Sequence, residues 1–126
     1  MKIQESTEMY LETILILSKD NAKVRAIDIA STMGFSKPSV SIAMKKMKGN
    51  ALIEIDSDGF ITLTNGGQEI AERMYTRHTW ISEWLMSLGV TKDIAIADAC
   101  KIEHVISEET FKALKQKLSP LPSFRA

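Results

Sequence analysis

Apolar residues recur along most of this chain at the three- and four-residue spacing of a helix face, and the pattern gives way once to a pair of β-rich runs. Over residues 6–18, Met9, Tyr10, Ile14, Leu15 and Leu17 predict a first helix, with Ser6 as its N-cap and Glu8 near its positive end. Lys19-Asp20-Asn21-Ala22 reads as a loop. A short helix over 26–33 follows, with Ile27, Ile29, Ala30 and Met33 as its buried face and Gly34 as the residue that ends it. Ser36 caps the next helix, which tolerates Pro38 because a first turn needs no amide donor there. That helix reaches about Lys48, turns Val40, Met44 and Met47 inward, and stops at Gly49-Asn50. Leu52-Ile53-Glu54-Ile55 and Phe60-Ile61-Thr62-Leu63 then flank Asp56-Ser57-Asp58-Gly59, the pattern of a β-hairpin. Thr64 caps a long helix over 65–88 that Gly89 ends, and helices over about 91–106 and 107–118 follow before Ser119-Pro120-Leu121-Pro122 breaks the last.

A short helix, a Gly-containing turn, a capped second helix and a hairpin directly after it form a winged helix-turn-helix. The fold expected is therefore mainly α, with a two-stranded β-hairpin wing in residues 1–64 and a helical domain in residues 65–126. Of Trp80, Trp84, Leu85, Leu88, Phe111 and Leu114, some must fill the core and the rest are spare apolar surface for a partner copy; the alternative is that all are core.

The second predicted helix of the pair exposes Ser36, Lys37, Pro38, Ser39, Ser41, Ile42, Lys45, Lys46 and Lys48. Lysines neutralise phosphates, serines near the helix start bond phosphates or base edges, and Ile42 suits thymine methyl groups. Double-stranded DNA is the partner this face implies; a solvated lysine face, or a winged helix that binds protein, is the alternative. Net charge is zero, but residues 1–50 carry 8 Lys/Arg against 5 Asp/Glu and residues 51–126 carry 8 against 11. A basic front and an acidic back suit a protein that offers one end to phosphate. No apolar run approaches the roughly 20 residues that span a bilayer, so no membrane partner is expected. The first six residues lack the apolar segment of a signal peptide, and one cysteine makes no internal disulfide, so the expected place is the cytoplasm.

The single cysteine falls in Cys100-Lys101-Ile102-Glu103-His104, beside one of two histidines. Cys100, Glu103 and His104 stand at i, i+3 and i+4, so all three project from one side of a helix. A thiolate, a carboxylate and an imidazole suit a first-row transition metal. The same residues also fit a buried cysteine beside a solvated Glu-His pair, or an open catalytic metal site, although no further acid–base set stands apart from this constellation.

Ser6-Thr7-Glu8-Met9-Tyr10-Leu11-Glu12-Thr13-Ile14, Ser36-Lys37-Pro38-Ser39-Val40-Ser41 and Cys100-Lys101-Ile102-Glu103-His104-Val105-Ile106-Ser107 together resemble the diphtheria toxin repressor family of metal-activated bacterial repressors. The likeness spans residues 5 to about 118. It implies a winged-helix domain and a helical dimerisation domain, hence a homodimer on a palindromic operator, with the chain a short form that lacks the C-terminal barrel of larger members. It also implies a primary metal site of Met9, Cys100, Glu103 and His104, as in the iron-type branch. The manganese branch has carboxylates in place of Met9 and Cys100, and softer donors favour Fe²⁺ over Mn²⁺ as the cofactor. Glu12 and His78, with Glu103, are candidates for a second ion. Three departures stand out: Ser82 at an iron-type ligand position, Ile96 in place of a histidine, and Ile42 where glutamine is common.

Overall fold

Leu11 and Ile14 are fully buried, with Tyr10 and Leu15 beside them, and this i, i+3, i+4 stripe defines the inner face of α1 (Glu5–Asp20). The computed structural model describes residues 5–21 and 23–118. The helix includes Ser6, the expected cap, and runs on through Asp20 into the expected loop. Leu11, absent from the expected face, is at its centre, while Met9 and Leu17 are half-buried.

The chain divides into two compact units, Met1–Arg73 and Met74–Ala126. In the first, α1 is followed by α2 (Ala26–Met33) and α3 (Lys37–Gly49), then by strands β1 (Ile53–Ile55) and β2 (Ile61–Leu63). Helix α2 opens with the Asp28 carboxylate accepting the Arg25 amide and closes on Gly34 in the left-handed conformation (φ 70°). Its buried residues are Ile29 and Ala30. Ile27, expected to join them, is 52% exposed, because it precedes Ile29 by two residues and so lies about 200° around the helix.

Ser36 caps α3 by accepting the Ser39 amide, and Val40, Met44 and Met47 face inward as the spacing predicts. The helix ends at Gly49 with Asn50 as its C-cap, the expected stop, and Ala51 follows in the left-handed conformation at φ 60°. Strands β1 and β2 pair antiparallel, with Ile53 opposite Leu63 and Ile55 opposite Ile61. Asp56 Oδ1 accepts the amides of Asp58 and Phe60, closing the wing tip. Beyond the expected hairpin, Val24 bridges to Ile61, whose amide donates to the Val24 carbonyl at 2.7 Å. Arg25 lies over the Phe60 ring at 4.4 Å, with Lys23 at 5.7 Å, so two cations flank the wing close to its tip.

Helix α4 (Asn65–Ser87) begins where Thr64 Oγ1 accepts the Gly67 amide while donating to the Ala51 carbonyl. The boundary between the units falls within it. In the second unit the rest of α4 packs with α5 (Lys92–Val105) and α6 (Glu108–Leu118) around Trp80, Ile81, Ala99 and Phe111. Trp80 stacks on Trp84 and meets Phe111 edge-on. Of the six residues weighed for a partner surface, Trp80 and Phe111 are core, Trp84, Leu85 and Leu114 pack half-buried against it, and Leu88 is 65% exposed. Ser107 caps α6 by accepting the Thr110 amide, and the expected break at Ser119-Pro120 lies outside the described residues. Among the described residues, no helix is long and apolar enough to cross a membrane.

Candidate metal centre and DNA-reading face

Helix α5 carries an unusual buried stripe: Ala95, Ala99 and then Glu103, whose side chain is completely enclosed. Small residues at the first two positions let the helix approach its neighbours closely. The third puts a carboxylate where a hydrophobe would otherwise sit. Burying an ionised carboxylate costs several kcal/mol unless positive charge or strong hydrogen bonds compensate, roughly speaking for any such group.

Two imidazoles meet that carboxylate from different elements. His78, on α4, brings Nδ1 to 3.2 Å from Glu103 Oε2, and His104 brings Nε2 to 3.1 Å from Oε1. The His104 ring is almost fully buried, and the His78 ring is 22% exposed. Ligand atoms of Cys100, Glu103 and His104 all lie within 4.8 Å of one another. The i, i+3, i+4 spacing thus brings these three side chains together, and within the second unit His78 lies against the same carboxylate. The thiol, carboxylate and imidazole of Cys100, Glu103 and His104 fit a divalent transition metal, whose charge would offset the burial of Glu103. Met9 and Glu12 stand in the first unit, three residues apart on α1, with Met9 half-buried and Glu12 buried.

The second unit also holds a buried cation that sequence reading missed. Arg77 is 7% exposed and donates from one terminal nitrogen to the carbonyls of Glu103 (3.1 Å) and Ile106 (3.0 Å). Its other terminal nitrogen meets Glu108 Oε2 at 2.6 Å, and the guanidinium lies over the Phe111 ring. The signal was present: Met74, Arg77 and Ile81 share the inner stripe of α4, and an arginine in an apolar stripe needs a polar destination.

At the cap and along α3, all nine residues expected on the DNA-facing side are exposed: Ser36, Lys37, Pro38, Ser39, Ser41, Ile42, Lys45, Lys46 and Lys48. Ser36 is committed to the helix cap, since its hydroxyl also donates to Ser39 Oγ at 2.9 Å. The Ser39 hydroxyl accepts that bond and keeps its own proton for an outside acceptor. Ile42, at 69% exposure, presents bare hydrocarbon between Ser39 and Lys46. Its burial contributes nothing to folding, which leaves its apolar surface for a partner.

Comparison with known proteins agrees with this geometry. Residues 2–59 match the family model described as the iron dependent repressor N-terminal DNA binding domain. Residues 64–122 match the one described as the iron dependent repressor metal binding and dimerisation domain. The chain belongs to the diphtheria toxin repressor family. Within that family it is 33% identical over 112 residues to the transcriptional regulator MntR of Escherichia coli O157:H7, covering 89% of this chain and 72% of MntR. It is 29% identical over 119 residues to the iron-dependent repressor IdeR of Mycobacterium tuberculosis, covering 94% of this chain and 52% of IdeR. The structure of the manganese regulator SloR superposes with a TM-score of 0.78 at 32% identity, covering 94% of this chain and 54% of SloR. The chain thus spans about half the length of IdeR and SloR. Family members are metal-dependent, DNA-binding transcriptional regulators rather than enzymes, with iron and manganese representatives, and they carry a dimerisation domain.

Proposed function

We propose that this chain is a metal-activated transcriptional repressor of metal-homeostasis genes, acting in the cytoplasm as a homodimer, with Fe²⁺ favoured over Mn²⁺. The observation that carries the reading is the enclosed Glu103 carboxylate, with Cys100, His104 and His78 gathered at it. Met9, Cys100, Glu103 and His104 hold the primary cation. Glu12 and His78, together with Glu103, are the ligands for a neighbouring one.

In this reading residues 1–64 form the DNA-binding domain and residues 65–126 the metal-binding and dimerisation domain. A divalent cation supplies charge that joins donors from both domains, so its binding free energy favours the arrangement in which both sets reach it. The residues of α3 do the rest. Lys37, Lys45 and Lys46 neutralise phosphates, Ser39 and Ser41 donate hydroxyl protons, and Ile42 offers methyl contact to thymine. In a two-fold dimer, restricting the winged helices favours half-sites about 34–36 Å apart, or multiples of that, on a palindromic operator. Linkage then requires DNA to tighten metal binding by the same factor that metal tightens DNA binding.

The preference for iron rests on the soft Met9 and Cys100 donors. Anaerobic competition of the metal-stripped protein against a chelator of known affinity is expected to show tighter Fe²⁺ than Mn²⁺ binding. The margin should shrink in Cys100→Asp, which replaces the thiolate by a hard carboxylate. Equal affinities in the unaltered protein would remove the softness argument and leave the metal site itself standing.

A further inference from the structure

We infer that Arg77 is a positioning residue for the metal-ligand turn, holding Glu103 and His104 in place before any metal arrives. The inference rests on the metal-site reading above and adds a residue that touches no metal. Glu103 and His104 occupy the last turn of α5, which ends at Val105. Final-turn carbonyls have no partner within their own helix, so helix ends fray. The last turn is therefore the weakest place to mount two ligands. Arg77 takes up the Glu103 carbonyl and the Ile106 carbonyl just beyond the helix. It ties both to Glu108 in the first turn of α6, so one guanidinium joins the end of one helix to the start of the next.

The arrangement also couples two neighbours on α4. Arg77 holds the backbone of Glu103 while the adjacent His78 faces its carboxylate. Backbone and side chain of one ligand are thus fixed from consecutive residues. The planar fork serves both carbonyls from one terminal nitrogen and the carboxylate from the other, whereas a lysine offers its donors from a single point. Partners that orient metal ligands without touching the metal typically change affinity by roughly 10–100-fold when removed.

The test compares Arg77→Lys with Leu114→Ala, a lesion of the same helical core away from the Arg77 bonds. Three quantities are read: Mn²⁺ affinity by chelator competition, thermal stability by a melt, and amide hydrogen exchange of residues 103–106 in the metal-free protein. Arg77→Lys is expected to weaken Mn²⁺ binding at least about tenfold and to speed exchange of the Ile106 amide, which donates to Ile102. Leu114→Ala should lower thermal stability at least as much and leave Mn²⁺ affinity within about threefold, well short of the loss of an orienting partner. Equal loss of affinity in both variants, or none in Arg77→Lys, would overturn the positioning role. An unaltered protein that binds neither Mn²⁺ nor Fe²⁺ would overturn the metal-site reading and this inference with it.

Discussion

Glu103→Gln is expected to abolish metal-dependent operator binding while the metal-free protein keeps its fold. The substitution preserves the volume of a completely enclosed side chain, so no cavity opens beside Ala99. What it removes is the negative charge at which His78 and His104 converge, 3.2 and 3.1 Å away. A neutral amide is a poor ligand for a divalent transition metal. Loss of an orienting partner alone costs roughly 10–100-fold in affinity, so loss of this ligand should exceed about 100-fold. Burial of an ionised carboxylate is itself unfavourable, so the metal-free variant should melt no lower than about 2 °C below the unaltered protein, the shift of less than 1 kcal/mol in a domain this size. Chelator competition, operator binding and a thermal melt read the three quantities separately. A Glu103→Gln protein that retained its metal response would exclude the carboxylate as a ligand.

Gly67→Ala should destabilise the winged-helix unit severely, and Gly66→Ala should not. A Cβ on Gly67 would lie 2.0 Å from the Leu52 carbonyl oxygen and 3.0 Å from its carbon. Leu52 has little freedom to retreat. Its amide donates to the Met47 carbonyl at the end of α3, and its own carbonyl accepts the Thr64 amide beside the α4 cap. Either α4 shifts off the base of the wing or the α3–β1 turn moves, and overpacking of this kind costs typically 1–3 kcal/mol, with backbone contacts at the upper end. A loss of about 3 kcal/mol lowers the melting temperature by on the order of 10 °C. At Gly66 the nearest atom to a Cβ is Thr64 Oγ1, 3.9 Å away, and alanine there gains about 0.5–1 kcal/mol from helix propensity. Urea unfolding of both variants decides the matter. If propensity governed both positions, both would be stabilised; the contact with Leu52 predicts opposite signs.

The helices and the wing were legible because their signals are local. Ser36 at a cap, Gly34 after a short apolar stripe and Asp-Gly between two β-rich runs each act within a few residues. The exposed face of α3 was legible for the same reason, since Val40, Met44 and Met47 fix which side turns outward. The α3 stop at Gly49-Asn50 was legible too, but not the left-handed Ala51 that follows it, since residue type there gives no sign of a positive φ. Ile27 shows the limit of counting apolar residues without their angle, because two residues of separation put it on the far side from Ile29.

At the candidate site, Cys100, Glu103 and His104 were visible as one helical turn, a matter of spacing alone. That His78 faces Glu103 is a contact between helices, and its place in the metal constellation came from family resemblance. Arg77 went unread because its partners are backbone carbonyls 26 and 29 residues away, which no residue type announces. Polar residues inside an apolar stripe therefore carry more information than the stripe itself. Two of the buried polar residues, Arg77 and Glu103, converge on one helix end.

If metal gates DNA binding, the gate is visible in operator affinity itself. Operator affinity of the anaerobic, metal-stripped protein is measured on palindromic duplexes, at fixed ionic strength, before and after addition of Fe²⁺ or Mn²⁺. Weak binding without metal and a gain of at least about tenfold with it are expected, corresponding to a coupling free energy of roughly 1–3 kcal/mol. Tight, specific binding by the stripped protein, unchanged by either ion, would contradict metal gating and leave a winged-helix regulator whose Cys100, Glu103 and His104 serve only to pack.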